Sequence, residues 1–398
     1  MLSTERLQKL EAVYHDGLLC DTVPFWMEHG WDKEYGGIMT GVDRKGNRID
    51  DDKGVWQQGR FAWMLGFLCN HVERRPDWEA AVKGTLEFLR KYCYDPADGR
   101  MYFHMTRRGD PIRKRRYAFS ESFACIAYGE YARLTGSAEY ADLARQTYKL
   151  YGDHVDTPPK FTGVRPTRGL GHPMINISTC QRLRDSIGYE EAEARIDQAI
   201  ADIVRYHLKP EIRCVMETVS PEGQIIDHID ERTLNPGHAI EGAWFIMKEG
   251  KRRGRLDYIN IGLDMLDWSW ERGWDKEYGG ILYYRDVYNN PVSEYWQDMK
   301  FWWPHNEVCI ATLLAYQITG SEKYAKWHTL AHDWTHAHFP DKEYGDWFGY
   351  LSRDGRVCSD IKGNLFKGCF HVPRMQYECW QICRELLKDG PLNLVSRD

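Results

Sequence analysis

Trp31-Asp32-Lys33-Glu34-Tyr35-Gly36-Gly37 occurs twice in this chain, the second time residue for residue at 274–280. A related stretch, Asp-Lys-Glu-Tyr-Gly, stands at 341–345, and a looser one, Asp-Pro-Ala-Asp-Gly, at 95–99. In each case a helical pattern precedes the motif and an aromatic or apolar stretch follows it. The motif therefore predicts a helix end, a glycine-rich turn and a short hairpin.

The spacing of this motif indicates repeated units. The step from Asp32 to Asp95 and the step from Asp275 to Asp341 are nearly equal, and the interval from Asp95 to Asp275 is close to three times as long. A single step is about 60 residues, so the chain is expected to hold six units of that length. The two unmarked units would fall near 157–169 and 217–223.

Each unit carries two helical patterns. Apolar residues recur at three- and four-residue steps in 78–92, 119–134 and 322–337, and Ser321 precedes the last as a candidate N-cap. Twelve helices in six hairpins can bury their apolar faces together as a closed ring. We therefore predict one all-α domain over residues 1–398, an (α/α)6 toroid with two helical layers and short β-hairpins at one end of a central cleft. A two-domain α+β arrangement is the alternative, and no Ser/Gly/Pro-rich linker supports it.

Composition narrows the classes of partner. The net charge is -6, and acidic and basic residues are mixed throughout, so no nucleic acid partner is expected. The 11 cysteines are scattered without a CxxC pair, the N-terminus has no apolar signal region, and no run of about 18 apolar residues occurs. These features predict a cytoplasmic protein with reduced thiols and no membrane partner. The 16 Trp and 24 Tyr fill the core and also offer flat faces on which sugars stack.

Two turns carry histidines that suit proton transfer. Asn235-Pro236-Gly237-His238 and Phe370-His371-Val372-Pro373-Arg374 each place one histidine in a turn at the mouth of a helix. An imidazole with a pKa near 6.5 can take a proton from carbon and return it at neutral pH. If the fold brings the two turns together, they predict racemisation or epimerisation beside a carbonyl. An ordinary polar or capping role is the alternative for each.

Two other clusters have simpler interpretations. His328, His332 and His336 follow at four-residue steps, but no HExxH and no carboxylate at the same spacing accompany them, so we predict no metal site. The basic residues of 107–116 surround Gly-Asp-Pro, which predicts a solvated hairpin, with an anion or nucleotide site as the alternative.

Five segments together resemble the N-acylglucosamine 2-epimerase family, and the resemblance covers nearly the whole chain. The segments are Val-Trp-Gln-Gln-Gly-Arg at 55–60, Asn-Pro-Gly-His at 235–238, Lys-Phe-Trp-Trp-Pro-His-Asn-Glu at 300–307, Trp-Phe-Gly-Tyr-Leu-Ser-Arg at 347–353, and Phe-Lys-Gly-Cys-Phe-His-Val-Pro-Arg at 366–374. The last is the most specific.

The resemblance implies a fold and an activity. It implies an (α/α)6 barrel that interconverts N-acetylglucosamine and N-acetylmannosamine without a cofactor, commonly as a homodimer, with activation by ATP in several members. Relatives in the same superfamily epimerise cellobiose or isomerise mannose, so the sugar stays open.

The resemblance also implies roles for residues. His238 and His371 would act on opposite faces of C2 of the open-chain sugar, and Glu307 would orient one imidazole. Because the C2 proton is weakly acidic, a cationic donor at O1 is expected, and Arg60 fits that demand with Arg374 as further support. A structural ion pair is the alternative for Arg60.

Further substrate contacts are expected from residues near these motifs. The candidates are Glu241, one helical turn after His238; Trp303, since only one of Trp302 and Trp303 can face the sugar; Lys300; and Asn176, with His172 one turn before it.

Two rival functions remain. An inverting glycosidase or unsaturated-uronyl hydrolase needs two carboxyls about 6.5–9.5 Å apart, whereas the matched turns here carry histidines. A non-enzymatic protein-binding role would need an exposed apolar or heptad surface, and no sustained heptad occurs.

Overall fold

The computed structural model of the chain describes residues 1–155 and 165–397. Its helices are α1 (Thr4–Asp16), α2 (Val23–His29), α3 (Val55–His71), α4 (Pro76–Tyr92), α5 (Phe119–Thr135), α6 (Ala138–His154), α7 (Gly171–Ile187), α8 (Ala192–Asp202), α9 (Pro236–Arg253), α10 (Leu256–Gly273), α11 (Trp302–Thr319), α12 (Glu322–His338) and α13 (His371–Asp389). Its strands are β1 (Lys53–Gly54), β2 (His104–Met105), β3 (Pro111–Arg113), β4 (Arg168–Gly169), β5 (Leu208–Lys209), β6 (Cys214–Val215), β7 (Thr218–Val219), β8 (Thr233–Leu234), β9 (Arg285–Asp286), β10 (Lys300–Phe301), β11 (Tyr350–Leu351) and β12 (Val357–Ser359).

The helices form two concentric layers. Helices α3, α5, α7, α9, α11 and α13 pack in that order as an inner ring, which the contact between Phe67 and Tyr377, with ring centroids 4.8 Å apart, closes. The outer layer consists of α4, α6, α8, α10, α12 and the α1–α2 pair, which a π-helical segment at Gly17–Thr22 joins. All residues of α11 are buried, because an inner helix has neighbours on every side. The predicted all-α (α/α)6 barrel is confirmed.

The predicted element boundaries agree closely with the structure. The helices expected at 78–92, 119–134 and 322–337 are α4, α5 and α12, and the Ser321 hydroxyl accepts a hydrogen bond from the Lys323 N–H at 3.3 Å, as expected of an N-cap. The unit expected at 217–223 is a hairpin that begins with β7 and turns at Ser220. Of the unit expected at 157–169, residues 157–164 lie outside the described residues.

The repeated motif is an ion-paired turn. Asp32 accepts hydrogen bonds from the backbone N–H groups of Glu34 and Tyr35, and these close the turn. The buried Lys53 ammonium donates to Asp32 at 3.0 Å, and Arg107 of the next unit donates to both carboxylate oxygens. Burial alone would raise the pKa of Asp32, but the hydrogen bonds from Arg107 and Lys53 lower it by more. The pKa of Asp32 therefore lies well below its usual range.

The second copy of the motif has the same arrangement and corrects one prediction. Asp275 accepts hydrogen bonds from Lys300 at 3.0 Å and from Arg353 at 2.8 Å. Lys300 is 0% exposed, and its ammonium also donates to the Gly279 carbonyl at 2.8 Å. The predicted substrate contact of Lys300 is therefore wrong, because its charge is buried inside the turn, as that of Lys53 is in the first copy.

The third copy closes the ring between the two ends of the chain. Asp341, in the last unit, pairs with the buried Lys362 at 3.0 Å and with Arg44 of the first unit at 2.8 Å. The contact with Arg44 joins the first and last units of the sequence, so the motif both builds each turn and links neighbouring units.

The basic stretch at 107–116 lies in and after the β2–β3 hairpin, as predicted. Arg107 pairs with Asp32, whereas Lys114 and Arg115 pair with Asp95. All 11 cysteines are free thiols. Among the described residues, none of the helices combines the length and the apolar character that crossing a bilayer requires.

Candidate active site

The two predicted histidines meet at one tryptophan of the inner ring. His238 lies in the first turn of α9, where the Asn235 side chain accepts its backbone N–H at 3.2 Å, and His371 begins α13. The Trp303 ring centroid lies 4.9 Å from that of His238 and 5.9 Å from that of His371. The fold therefore brings the two turns together, and both imidazoles pack against the Trp303 indole.

His371 is held as a neutral imidazole. Its Nδ1 lies 2.9 Å from Oε1 of Glu307, so Nδ1–H donates to the carboxylate and the lone pair is left on Nε2. Burial lowers the pKa of His371 well below its ordinary value, and the charges of Arg374 and Arg60 lower it further. An unprotonated Nε2 at neutral pH can act as a base.

Glu307 is the centre of a buried network. Its Oε1 accepts from Arg374 at 2.6 Å and its Oε2 accepts from the Trp244 indole N–H at 2.7 Å. Arg374 also donates to Glu241 at 2.5 Å. Burial raises the pKa of Glu307. Burial also lowers the pKa of Arg374, but the Glu307 and Glu241 carboxylates raise it by more, so that the pKa of Arg374 lies above its ordinary value. The guanidinium therefore stays charged beside His371.

His238 has the opposite electrostatic setting. Its Nδ1 lies 2.9 Å from Oε1 of Glu217, a residue that immediately precedes β7. Burial lowers the pKa of His238, but the Glu217 carboxylate raises it, and the balance lies above the ordinary value. Glu217 was not among the predicted site residues, because it lies on a separate hairpin and no helical or strand spacing joins it to His238.

Arg60, on α3, lies close enough to the carboxylates of Glu241 and Glu307 for their charges to act on its guanidinium. Its guanidinium carbon lies 4.2 Å from the Phe123 ring centroid and 4.7 Å from that of Phe370, and Arg374 packs on the same Phe370 ring at 4.7 Å. Within the described ranges, Arg60 forms no salt bridge and its buried Nε has no hydrogen-bond partner. Burial lowers its pKa to about 9, so it remains charged at neutral pH. The structural ion pair considered for Arg60 is absent from the described part of the chain.

The remaining candidates occupy different places. Trp302 packs on Tyr350, with ring centroids 5.4 Å apart, so Trp303 is the tryptophan between the histidines. The Asn176 side-chain oxygen accepts from the Tyr148 hydroxyl of α6 at 2.9 Å, which leaves its amide nitrogen to contact a ligand. His172 packs on Phe119, with centroids 5.2 Å apart. Substrate contacts by Asn176 and His172 stay predictions.

Metal ligation fits this site poorly. Among the described residues, only Glu241, Glu307 and His371 bring three ligand atoms within 4.8 Å of one another. Arg374 donates to both of these carboxylates, so its guanidinium already supplies the positive charge that an ion would bring.

The helical histidines of α12 form an internal cluster. His332 Nδ1 lies 2.7 Å from the Tyr14 hydroxyl, and His328 Nδ1 lies 3.3 Å from that of Thr312. Burial lowers the pKa of His328 to about 3, which keeps it neutral.

Comparison with known proteins identifies the family of the chain. The family model described as N-acylglucosamine 2-epimerase (GlcNAc 2-epimerase) matches residues 36–369. The N-acylglucosamine 2-epimerase of Bos taurus is 35% identical over 389 residues, covering 94% of this chain and 90% of the bovine protein, and that of Homo sapiens is 34% identical over 376 residues, covering 92% and 87%. The solved structure of cellobiose 2-epimerase from Bacillus thermoamylovorans superposes with a TM-score of 0.82 at 20% identity, covering 94% of this chain and 99% of that one.

Proposed function

This chain belongs to the N-acylglucosamine 2-epimerase family and is an isomerase, and we propose that it interconverts N-acetyl-D-glucosamine and N-acetyl-D-mannosamine by proton transfer at C2. The observation that carries the proposal is the pair of imidazoles on one indole, with the pKa of His371 lowered and that of His238 raised. A base with a lowered pKa and an acid with a raised pKa on the same indole suit the removal of a proton from one carbon and its return to that carbon.

The reaction begins with the open-chain aldehyde against Trp303. His371 Nε2 removes the C2 proton, and the electron pair moves through C1 to O1 to form an enolate whose C2 keeps its acetamido group. The His238 imidazolium then delivers its proton to the other face of C2, and the carbonyl reforms. After one turnover His371 is protonated and His238 is neutral, which is the starting state of the reverse reaction.

Arg60 provides the positive charge that stabilises the enolate. A general base contributes roughly 10²–10⁴-fold, which is too little for a weak carbon acid, so the oxyanion at O1 must also be stabilised. The Arg60 guanidinium is charged, partly buried and without a carboxylate partner among the described residues. Arg374 is already paired with Glu307 and Glu241, so it positions these carboxylates and supports the local charge.

The network around Glu307 favours this reaction over glycoside hydrolysis. A hydrolase acid must carry a proton and donate it to the leaving oxygen. Here Oε1 of Glu307 accepts from His371 and Arg374 while Oε2 accepts from Trp244. Both oxygens are occupied as acceptors, so Glu307 is suited to orienting His371.

The test is proton NMR of N-acetylmannosamine incubated with the enzyme in D2O, with mannose and cellobiose in parallel samples. We expect N-acetylglucosamine deuterated at C2, and loss of this exchange in His238→Asn and His371→Asn but not in His15→Asn, an exposed histidine of α1. Turnover of mannose or cellobiose alone would retain the mechanism and replace the substrate. Absence of C2 exchange in all three sugars would refute the proposal.

The chemistry proposed here needs no redox group or metal, since side chains supply both proton transfers and the charge at O1. We propose in addition that the protein is a cytoplasmic homodimer and that ATP activates it, as the family resemblance implies. Size-exclusion chromatography with light scattering tests the dimer, and the NMR assay repeated with ATP tests the activation.

A further inference from the structure

Tyr117 is an exposed aromatic residue in a backbone conformation that its side chain disfavours. Its φ is 59°, in the left-handed region that bulky residues seldom adopt. The residue is 60% exposed, so burial of the ring does not compensate for this strain. Such strain concentrates at ligand clamps and other functional sites, where surrounding contacts hold it in place.

Contacts of the surrounding fold hold the backbone of Tyr117. Arg100 donates to the Tyr117 carbonyl oxygen at 3.5 Å, and the Arg100 guanidinium lies 3.5 Å from the buried carboxylate of Glu121. A β-bridge joins Arg116 and Ala118, the residues on either side of Tyr117. The strained turn is therefore built into the fold, and the position of the phenol ring follows from it.

Tyr117 belongs to the side of the cleft that carries Arg60. The Tyr117 ring centroid lies 5.5 Å from that of Phe119, and the Phe119 centroid lies 5.6 Å from that of Trp56. The Arg60 guanidinium carbon lies 5.9 Å from the same Trp56 ring. A continuous series of ring contacts therefore leads from Tyr117 to Arg60.

Tyr117 also lies near the opposite side of the cleft, where Tyr283 and Tyr284 pack with ring centroids 4.4 Å apart. The Tyr283 centroid lies 6.0 Å from that of Trp303, the tryptophan between the histidines. Burial raises the pKa of Tyr284, the hydrogen bond with Tyr283 lowers it, and the charges of Glu217 and Tyr117 raise it, so that the balance lies above the ordinary value. Tyr117 is therefore within electrostatic reach of Tyr284 and lies between the two sides of the cleft.

The position of Tyr117 along the barrel is the mouth of the cleft. His238 and His371 lie in the first turns of α9 and α13, and Arg60 lies in the second turn of α3. The reacting carbon therefore lies near the end of the ring at which the inner helices begin. Tyr117 precedes α5, another inner helix, by two residues, and its ring is exposed at that end.

We propose that the Tyr117 ring covers the C4–C6 end of the sugar and restricts the cleft to monosaccharides. A second sugar unit linked through O4 would need the space that the ring occupies between the two sides of the cleft, so a disaccharide is excluded. The ring also offers the C–H groups of the monosaccharide an apolar surface. The proposal rests on the proposed function, since O1 at Arg60 and C2 between the histidines determine which end of the sugar reaches Tyr117.

Isothermal titration calorimetry with N-acetylglucosamine and with its β-1,4-linked disaccharide tests the size limit. The unchanged protein should bind the monosaccharide at least about tenfold more tightly than the disaccharide. In Tyr117→Gly, the affinity for the disaccharide should rise at least about tenfold, and the affinity for the monosaccharide should fall about three- to tenfold because an aromatic contact is lost. Tyr117→Phe keeps the ring and is the matched control, which should bind both sugars as the unchanged protein does.

Thermal unfolding separates a role in specificity from a structural role. Glycine adopts a left-handed φ without strain, so Tyr117→Gly should have a Tm no lower than that of the unchanged protein. A lower Tm together with unchanged sugar affinities would show that the ring is structural and would overturn the proposal. Asn393→Gly, at an exposed residue near the C-terminus with a φ of 51°, is the control for the change to glycine and should leave both affinities unchanged.

Binding and turnover distinguish a failure of this inference from a failure of the proposed function. Equal affinities of the unchanged protein for the two sugars would overturn the size limit, as would equal affinities of Tyr117→Gly and Tyr117→Phe for the disaccharide or the absence of binding by both sugars. If the affinities change as expected but no protein exchanges the C2 proton, the proposed function is refuted while the size limit stands. If C2 exchange occurs but Tyr117→Gly binds both sugars as the unchanged protein does, the size limit is refuted while the proposed function stands.

Discussion

The raised pKa of His238 depends on Glu217, and Glu217→Gln isolates that dependence. The amide keeps the shape of the side chain and removes its charge, so the 2.9 Å contact to Nδ1 is no longer charge-assisted. Such a hydrogen bond is worth about 1.5–3 kcal/mol, and one pKa unit corresponds to about 1.4 kcal/mol. The pKa of His238 should therefore fall by about one to two units.

The sign of the effect on activity follows from the protonation states. The active enzyme carries one proton on the histidine pair, so kcat/KM rises as the lower pKa of the pair is passed and falls as the upper one is passed. His238 supplies the upper pKa, because Glu217 raises it, and His371 supplies the lower one. Glu217→Gln should move the alkaline limb to lower pH by about one to two units and leave the acid limb in place.

The assay is the initial rate of C2 inversion from pH 5 to 10, measured from both sugars. The equilibrium constant fixes the ratio of the two kcat/KM values at each pH, so the limb should move equally in both directions. Glu222→Gln, an exposed residue of the same hairpin, is the matched control and should leave the profile unchanged. An alkaline limb that stays in place in Glu217→Gln would refute the assignment of His238 as the charged acid.

Three further results are expected. Arg60→Gln should lower kcat by about 10²–10³-fold in the NMR assay, as the loss of an oxyanion donor does. The Tm should change little, because Arg60 has no ion pair in the described structure. A kcat within threefold of that of the unchanged enzyme would contradict the role of Arg60. Asp341→Asn should lower the free energy of unfolding by about 3–5 kcal/mol, because the buried Lys362 ammonium loses its carboxylate partner. The exposed Glu343→Gln is the control and should change the free energy of unfolding by about 0.5 kcal/mol or less. Equal urea midpoints for the two variants would contradict the ring-closing role of Asp341. Burial holds the pKa of His328 at about 3 in the folded state. The stability that neutral His328 contributes is therefore complete above pH 6.5 and is lost as the pH falls towards 3. Urea midpoints of the unchanged protein and of His328→Gln that fall in parallel over this range would contradict the prediction.

Most of the fold could be predicted from the chain because its determinants are local and repeated. The helix end, the turn and the apolar periodicity lie within a single unit, and the duplicated motif at 31–37 and 274–280 marks where units recur. Ser321 marks the start of α12 for the same reason, since an N-cap acts on backbone groups only two or three residues away. The ring closure through Arg44 and Asp341 was not predictable, because that contact joins the two ends of the chain.

For the candidate site, too, some features could be predicted from the sequence and others only from the tertiary structure. The sequence alone determined the six-unit ring and, through the resemblance of its turns to a known family, the two histidines. The tertiary structure alone decided which cation is left without a carboxylate partner: Arg60 has no ion pair among the described residues, whereas Lys300 is buried against Asp275. It also supplied Glu217, which sets His238 apart from His371. The physical reason is that hydrogen-bonded turns and helix caps are short-range, whereas the charge state of a side chain depends on burial and on partners that only the closed ring brings within contact distance.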